Sequence, residues 1–410
     1  IPKKSLLHSA KFMEEANHFG LDKKDLTKIA LNKVVEMSRT ASENLSKGVS
    51  SLMKKNKIDI YKHRAYPKKI DNEFYVKMSS DEIISKNMII ATGCKPRTIG
   101  DIKFSDLIWS SKEAMIPKFL PKKLCIIGSG AIGIEFASIY NALGSEVIVF
   151  ESQGRILPQF DNDISNEAKK IFEKKGIKFE LNAKIENIDE EKKSISFKNN
   201  NENIVCDALI LSVGVLPNLD KDFISTLNLN LTDTGYIGTN HNYETNVNGL
   251  FAIGDIIGAP WLAHKAMHDA INCVNYISSG KDTHKPKENH IPGCIYSLPQ
   301  IATVGFTEQQ LKDNNTPYKS GNFPFLANGK SQTMSNSYGF VKTLFNSETG
   351  EVLGAHLIGP DVTEMIATFG LAISSESTED EFINTVFAHP TLSESIHESV
   401  LSAFEKPLHF

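Results

Sequence analysis

The sequence predicts an α/β fold with two Rossmann-like nucleotide-binding domains, followed by an α+β C-terminal domain. Three observations predict it. Residues 123–151 spell an apolar strand, a Gly-x-Gly-x-x-Gly turn, an apolar helical run and a second strand that ends in Glu151. Two further strands, Ile89-Ile-Ala-Thr-Gly93 and Phe251-Ala-Ile-Gly-Asp255, each close on a small turn with a polar residue at its mouth. Ligands bind at such turns, beyond the carboxyl ends of parallel strands. From Ile295 onward the chain reads as strands with helices near Thr307–Asn314, 361–375 and 391–404, and a hairpin around Asn346-Ser-Glu-Thr-Gly350.

Taken in order, the elements begin with a helix carrying Leu6, Leu7, Ala10 and Met13 at helical spacing. A long amphipathic helix follows from about Leu26 to Lys55. Short strands come next at Ile58–Tyr61, Phe74–Met78 and Met88–Ala91, and residues 96–121, with three prolines, read as a crossover. Beyond the fingerprint lie a helix near Ile164–Lys175, strands near Lys178–Leu181 and Ser194–Phe197, and the apolar run Ala208–Gly214. The strand and turn at 249–255 lead into a helix from about Ala263 to Ser278. Residues 281–292, polar and proline-bearing, read as a linker.

Composition narrows the function. At 410 residues the chain exceeds one ordinary core and suggests two to four domains. A net charge of -4 gives no support to nucleic-acid binding, and the short lysine pairs read as solvated faces. No apolar run approaches the roughly 20 residues that span a bilayer, so no membrane partner is expected. The opening residues do not make a signal peptide. The five cysteines are odd in number, widely spaced and without a CxxC, which predicts buried thiols in a reducing compartment and no metal site.

The fingerprint carries the sharpest chemistry. Gly128 permits the tight turn, Gly130 lets backbone approach a pyrophosphate, and Gly133 lets the helix pack on the strand. Ser129, Ala131 and Ile132 complete the loop whose amides face the ligand's negative charge. Glu151 can accept hydrogen bonds from both ribose hydroxyls and would repel a 2′-phosphate, so NAD is expected over NADP. The alternative is a glycine-rich turn in some other α/β unit. The turns at Thr92-Gly93 and Asp255 imply a second nucleotide site, with Asp255 on a flavin ribityl hydroxyl and Leu262-Ala263-His264 opening a helix toward its phosphates. Read separately they are equally a strand end and a capping acid. Near the C-terminus, Thr391 and Glu394 form a capping-box pattern. The adjoining His389-Pro390, with an acid held nearby, also has the make-up of a general base.

These segments, with Ile1-Pro-Lys-Lys-Ser, Leu262-Ala-His-Lys-Ala266, Pro299-Gln-Ile-Ala-Thr-Val-Gly305, Gly354-Ala-His-Leu-Ile-Gly359 and His389–Glu394, resemble the dihydrolipoamide dehydrogenases among the flavoprotein disulfide reductases over nearly the whole chain. The resemblance implies FAD and NAD as cofactors. It implies an FAD-binding domain split into residues 1–121 and 246–290 around an NAD-binding domain at 122–245, with an interface domain at 291–410 that builds a homodimer. Lys4 and Glu135 would pair beside the flavin ring. Thr92, Gly93, the neighbouring Cys94 and Asp255 would touch the flavin, and Gly214 would touch NAD. His389, oriented by Glu394, would serve the partner subunit's active site. The implied reaction is oxidation of dihydrolipoyl groups, carried on lipoyl domains of 2-oxo-acid dehydrogenase complexes, with electrons passing through a redox disulfide and FAD to NAD. A glutathione-type reductase is the runner-up, disfavoured by Glu151, and a non-catalytic NAD-binding dimer is the alternative of another class. The chain departs from the family at its start: the C-x4-C disulfide and roughly 40 residues of an N-terminal flavin-binding βα unit do not precede Ile1. The FAD domain is thus expected to be incomplete at its N-terminus, the chain a fragment or a truncated product, and lipoamide activity absent from it. The five remaining cysteines lie on separate segments with no reason to converge. A bacterial cytoplasm is the expected compartment, a mitochondrial matrix the second.

Overall fold

The computed structural model describes residues 1–18, 31–79, 81–283, 285–334 and 336–409. The chain divides into two compact units. One comprises Ile1–Ser46, Thr98–Val213 and Asn289–Phe410, the other Lys47–Arg97 and Gly214–Glu288.

The first unit holds a five-stranded parallel sheet in the order Ile108–Trp109, Ala208–Leu211, Lys123–Ile127, Glu146–Phe150, Lys178–Glu180. Its central strands are continuous apolar runs because both faces are covered, one by the helices Ala131–Ala142 and Asn162–Lys174, the other by an antiparallel meander of Ile185–Glu190, Ile195–Asn199 and Glu202–Cys206. Leu124, Ile126, Val147, Val149, Ala208 and Ile210 are all buried. The helix Ala131–Ala142 crosses from Lys123–Ile127 to Glu146–Phe150. The helix Pro2–His18 buries Leu6, Leu7 and Ala10 against Val34, Ile139 and Leu298. The C-terminal part is a five-stranded antiparallel sheet ordered Gly293–Ile295, Gln300–Gly305, Val352–Gly359, Phe340–Asn346, Tyr318–Pro324. Helices Val362–Ser374 and Glu394–Ala403 pack on it, burying Phe369, Ile396 and Val400.

The second unit has a three-stranded meander, Tyr66–Ile70, Glu73–Lys77 and Glu82–Ser85. It also has a parallel pair, Met88–Ile90 with Leu250–Ala252, and an antiparallel pair, Cys94–Pro96 with Val215–Pro217. Phe74, Ile90, Leu250, Ala252 and Ile256 fill its core. The helix Ala263–Ser279 ends at Gly280, whose left-handed φ of 68° closes the last turn.

Three local expectations are corrected, and a fourth lies partly outside the described residues. Ile58–Tyr61 forms no strand; Ile58, Ile60 and Tyr61 are exposed, so alternation there had no sheet face to fill. The crossover at 96–121 contributes an edge strand, Ile108–Trp109, and a capped turn of helix, Ser111–Ala114. The long helix is described from Leu31 to Lys55, its expected first turns lying outside the described residues. The box at Thr391 forms only in half. Glu394 accepts from the Thr391 amide at 2.8 Å, but the Thr391 hydroxyl donates to Ala388 O, and the helix starts at Glu394.

Candidate functional site

At the carboxyl end of Lys123–Ile127 the glycine turn is fixed by sterics. Gly128 has φ +100°, and a Cβ there would lie 2.5 Å from Ser212 O. A Cβ on Gly133 would lie 2.0 Å from Gly128 O, so only glycine lets the helix approach the turn. Around Gly130 the space is open: nothing lies within 4 Å of an added Cβ. Gly130 is also the N-cap of Ala131–Ala142 and supplies no side-chain cap. The amides of the first turn, which include those of Ile132 and Gly133, therefore have no capping side chain and suit an anion such as a pyrophosphate. Ser212, which sequence reasoning passed over, supports the turn, its hydroxyl 2.9 and 2.8 Å from Ile127 O and Gly128 O.

Glu151 lies at the end of the adjacent strand and is 7% exposed. Its Oε2 accepts from the Ser129 amide at 2.9 Å and the Ser129 hydroxyl at 2.7 Å. Its Oε1 accepts from the Gln153 amide at 3.0 Å and the Ser152 hydroxyl at 3.2 Å. Burial alone would raise this carboxyl, but the donors from Ser129, Gln153 and Ser152 outweigh it and hold it below the usual carboxylate range.

On the inner face of the same helix, Glu135 is buried and paired with Lys4 at 2.9 Å and with Lys3. It also accepts from the Tyr296 amide at 2.8 Å, and the Lys4 ammonium sits 3.5 Å from the centre of the Tyr296 ring. Burial pulls the Lys4 ammonium below its ordinary value, and the Glu135 carboxylate offsets this only in part.

In the second unit the turns at Thr92-Gly93 and Asp255 end the parallel pair of strands. Asn218 donates to Thr92 O and Gly93 O, and the Cys94 thiol lies 3.4 Å from Asp255 O. Burial, reinforced by Asp255, pushes the Cys94 thiol up to about 11, which leaves it a poor nucleophile. Unlike Glu151, the Asp255 carboxylate is held by no hydrogen bond among the described residues; burial raises it above its ordinary value, against the opposing charge of Lys265. A half-buried carboxylate without a donor suits a ligand hydroxyl. Behind it is a pair that sequence reasoning missed. Asp269, 1% exposed, accepts from the Gly254 amide at 3.0 Å and pairs with Lys265 at 2.8 Å, fixing the turn that carries Asp255. The spacing of four on one helix was the available signal. Leu262 caps the helix without a side-chain bond, Ala263 begins it and His264 is exposed. Gly214, φ +97°, is the turn residue whose carbonyl accepts from the Arg97 amide.

His389 and Glu394 come together as expected, with Nδ1 2.9 Å from Oε1. Burial would raise the Glu394 carboxyl, but the Thr391 amide and His389 hold it low, so it is an anion facing the ring. That contact places the imidazole proton on Nδ1 and leaves Nε2 free to accept one. The ring is 78% exposed.

The expectation that the cysteines do not converge is corrected for one pair. Cys125, on the central strand, and Cys206 share a thiol hydrogen bond, which together with burial pushes Cys125 well above an ordinary thiol. Cys206 ends the strand Glu202–Cys206, which packs on the face of the parallel sheet that carries Cys125, a contact invisible in linear spacing. Both are free, as are Cys94, Cys273 and Cys294. Among the described residues no cluster of His, Cys, Asp or Glu is built to hold a metal, and no helix is long and apolar enough to cross a membrane.

Comparison with known proteins agrees with this arrangement. Residues 1–270 match the pyridine nucleotide-disulphide oxidoreductase family, and residues 291–400 match the dimerisation domain of pyridine nucleotide-disulphide oxidoreductases. The chain is 39% identical to a dihydrolipoyl dehydrogenase of Rhizobium etli, across all of this chain and 90% of that one, and 36% identical to one of Bacillus subtilis with the same coverage. Among solved structures, LpdA of Mycobacterium tuberculosis superposes with a TM-score of 0.89 at 22% identity, covering 98% of this chain and 89% of that one. The flavoprotein disulfide reductase RclA of Escherichia coli superposes at 0.86 and 23%, covering 97% of this chain and 88% of that one. At that identity these two structures establish the fold alone.

Proposed function

Since the chain belongs to the pyridine nucleotide-disulphide oxidoreductase family, we propose that it acts as a dihydrolipoyl dehydrogenase, oxidising a protein-bound dihydrolipoyl group and reducing NAD by way of FAD. The observation that carries the reading is the His389–Glu394 contact: a dithiol must lose a proton before its sulfur can exchange, and this pair is built to take one. Nε2 of His389 accepts the proton from sulfur, and Glu394 steadies the imidazolium that results.

Glu151, with the open turn at Gly130, fits the adenosine ribose and pyrophosphate of NAD. Asp255, with Thr92, Gly93, Cys94 and the helix start at Leu262, Ala263 and His264, fits the polar parts of FAD. When bound, the flavin supplies transfer of an electron pair from thiol to nicotinamide. The assignments of Lys4 and Glu135 to the flavin, of Gly214 to NAD, and of the four domain boundaries rest on the resemblance. We assign the exchanging disulfide to none of the five cysteines, since Cys125, Cys206 and Cys273 are buried and burial pushes Cys94 and Cys294 up to about 11.

A homodimer in a reducing compartment, a bacterial cytoplasm foremost, serving lipoyl domains of a 2-oxo-acid dehydrogenase complex, completes the proposal. The test is steady-state dihydrolipoamide oxidation by the FAD-loaded full-length protein with NAD and NADP compared. Turnover that favours NAD supports the reading. Turnover that favours NADP with a glutathione-type disulfide moves it to the runner-up, and NADH binding without any thiol oxidation moves it to the non-catalytic dimer.

A further inference from the structure

The two oxygens of Glu151 are not equivalent. Oε2 is tied twice to one buried residue, Ser129, which is 0% exposed, at 2.9 Å from its amide and 2.7 Å from its hydroxyl. Oε1 faces the exposed residues Ser152 and Gln153, and its bond to the Ser152 hydroxyl is the longest of the four at 3.2 Å. A carboxylate has about four lone-pair directions, so all are occupied, and a ribose hydroxyl must displace a donor. The exposed Ser152 hydroxyl yields at least cost, because it exchanges its partner for water, whereas Ser129 has no water to turn to.

From this asymmetry we infer that the Ser129 hydroxyl is a positioning and specificity-determining residue for the dinucleotide: it anchors the inner oxygen of Glu151 so that the outer oxygen meets the adenosine ribose. The fixed negative charge then lies where a 2′-phosphate would stand. Without the hydroxyl, one amide alone holds the inner oxygen, and the carboxylate can swing about its side chain away from the ribose. The loss falls on NADH, which uses the carboxylate, and not on NADPH, which is repelled by it. The inference rests on the proposed NAD site, and the experiment separates the two.

The test is NADH and NADPH affinity, read by quenching of protein fluorescence, for the wild-type protein, Ser129→Ala, Ser129→Cys and Ser129→Thr. Ser129→Ala should weaken NADH about tenfold, the scale of a lost hydrogen bond to a charged group, with NADPH unchanged or tighter. Ser129→Thr, which keeps the hydroxyl, should restore the preference, and Ser129→Cys, near in size but a weak donor, should behave as alanine does. Equal weakening of both dinucleotides, or a NADH preference as large in Ser129→Cys as in wild type, would overturn the role of the hydroxyl while leaving the NAD site standing. A wild-type protein that binds neither would overturn both.

Discussion

At the scale of single residues, the chemistry separates into groups that must act and groups that hold them. We place His389 in the first kind as the proposed base, since its Nε2 and its anionic neighbour suit it to accepting a proton from sulfur. Replacing it with Gln in the full-length protein should therefore slow dihydrolipoamide oxidation by about 10² to 10⁴, the usual worth of a general base. Reduction of the flavin by NADH, followed in stopped flow, should be nearly unaffected, because hydride exchange needs no proton from a thiol. Equal loss in both half-reactions would make His389 a structural residue. Most of the proposed acting groups were legible in the sequence, because glycines, a strand-end acid and a His-Pro pair keep their spacing along the chain. The holding groups were not. Lys265 with Asp269, and Ser129 with Glu151, become visible only when a turn folds back on its helix or its neighbouring strand.

At the scale of elements, the strand-turn-helix around Gly128 combines two demands that glycine meets for different reasons. At Gly133 the demand is internal. An alanine Cβ would stand 2.0 Å from Gly128 O and 2.8 Å from the Ser212 hydroxyl, so the helix must lift from the turn. Gly133→Ala should cost about 1–3 kcal/mol in urea unfolding, as overpacking does, and weaken NADH along with it. At Gly130 the demand is external, because its φ of −70° accommodates any residue and nothing protein-borne crowds it. Gly130→Ala should keep its unfolding midpoint and lose NADH affinity. A midpoint that falls as far in Gly130→Ala as in Gly133→Ala would show that the open space serves folding and not a ligand. The periodicity that revealed these elements failed at Ile58–Tyr61, where an apolar alternation lies in exposed coil. Pattern reports which side chains would suit a sheet, and only tertiary contact decides whether a sheet is there to receive them.

At the scale of the whole molecule, the first unit is drawn together by a charge cluster that no motif announced. Lys342, 3% exposed on the antiparallel sheet, reaches Asp161 at 2.9 Å, Asp163 at 2.5 Å and Glu308 at 2.6 Å, joining segments far apart in the chain. Asp161, itself 1% exposed, cannot find water if its partner goes, so Lys342→Met should destabilise the protein by about 3–5 kcal/mol, the range for an orphaned buried charge. The acid dependence has a definite sign. Burial would raise Glu308, but hydrogen bonds from Lys312, Lys342 and Tyr318 prevail and bring it down to about 2 from an ordinary 4.5. A carboxyl depressed by folding gives stability that is present above its unfolded value and lost as pH falls toward its folded one. Glu308 therefore contributes in full near pH 6 and less at pH 3. With Lys342 removed, Glu308 moves back toward its ordinary value, the gap between folded and unfolded forms narrows, and the fall in stability from pH 6 to pH 3 should be smaller than in wild type. Urea unfolding of both proteins at the two pH values measures this difference. An equal fall would mean that Lys312 and Tyr318 hold Glu308 down unaided, and a Lys342→Met protein as stable as wild type at pH 6 would mean that water reaches Asp161 in its place.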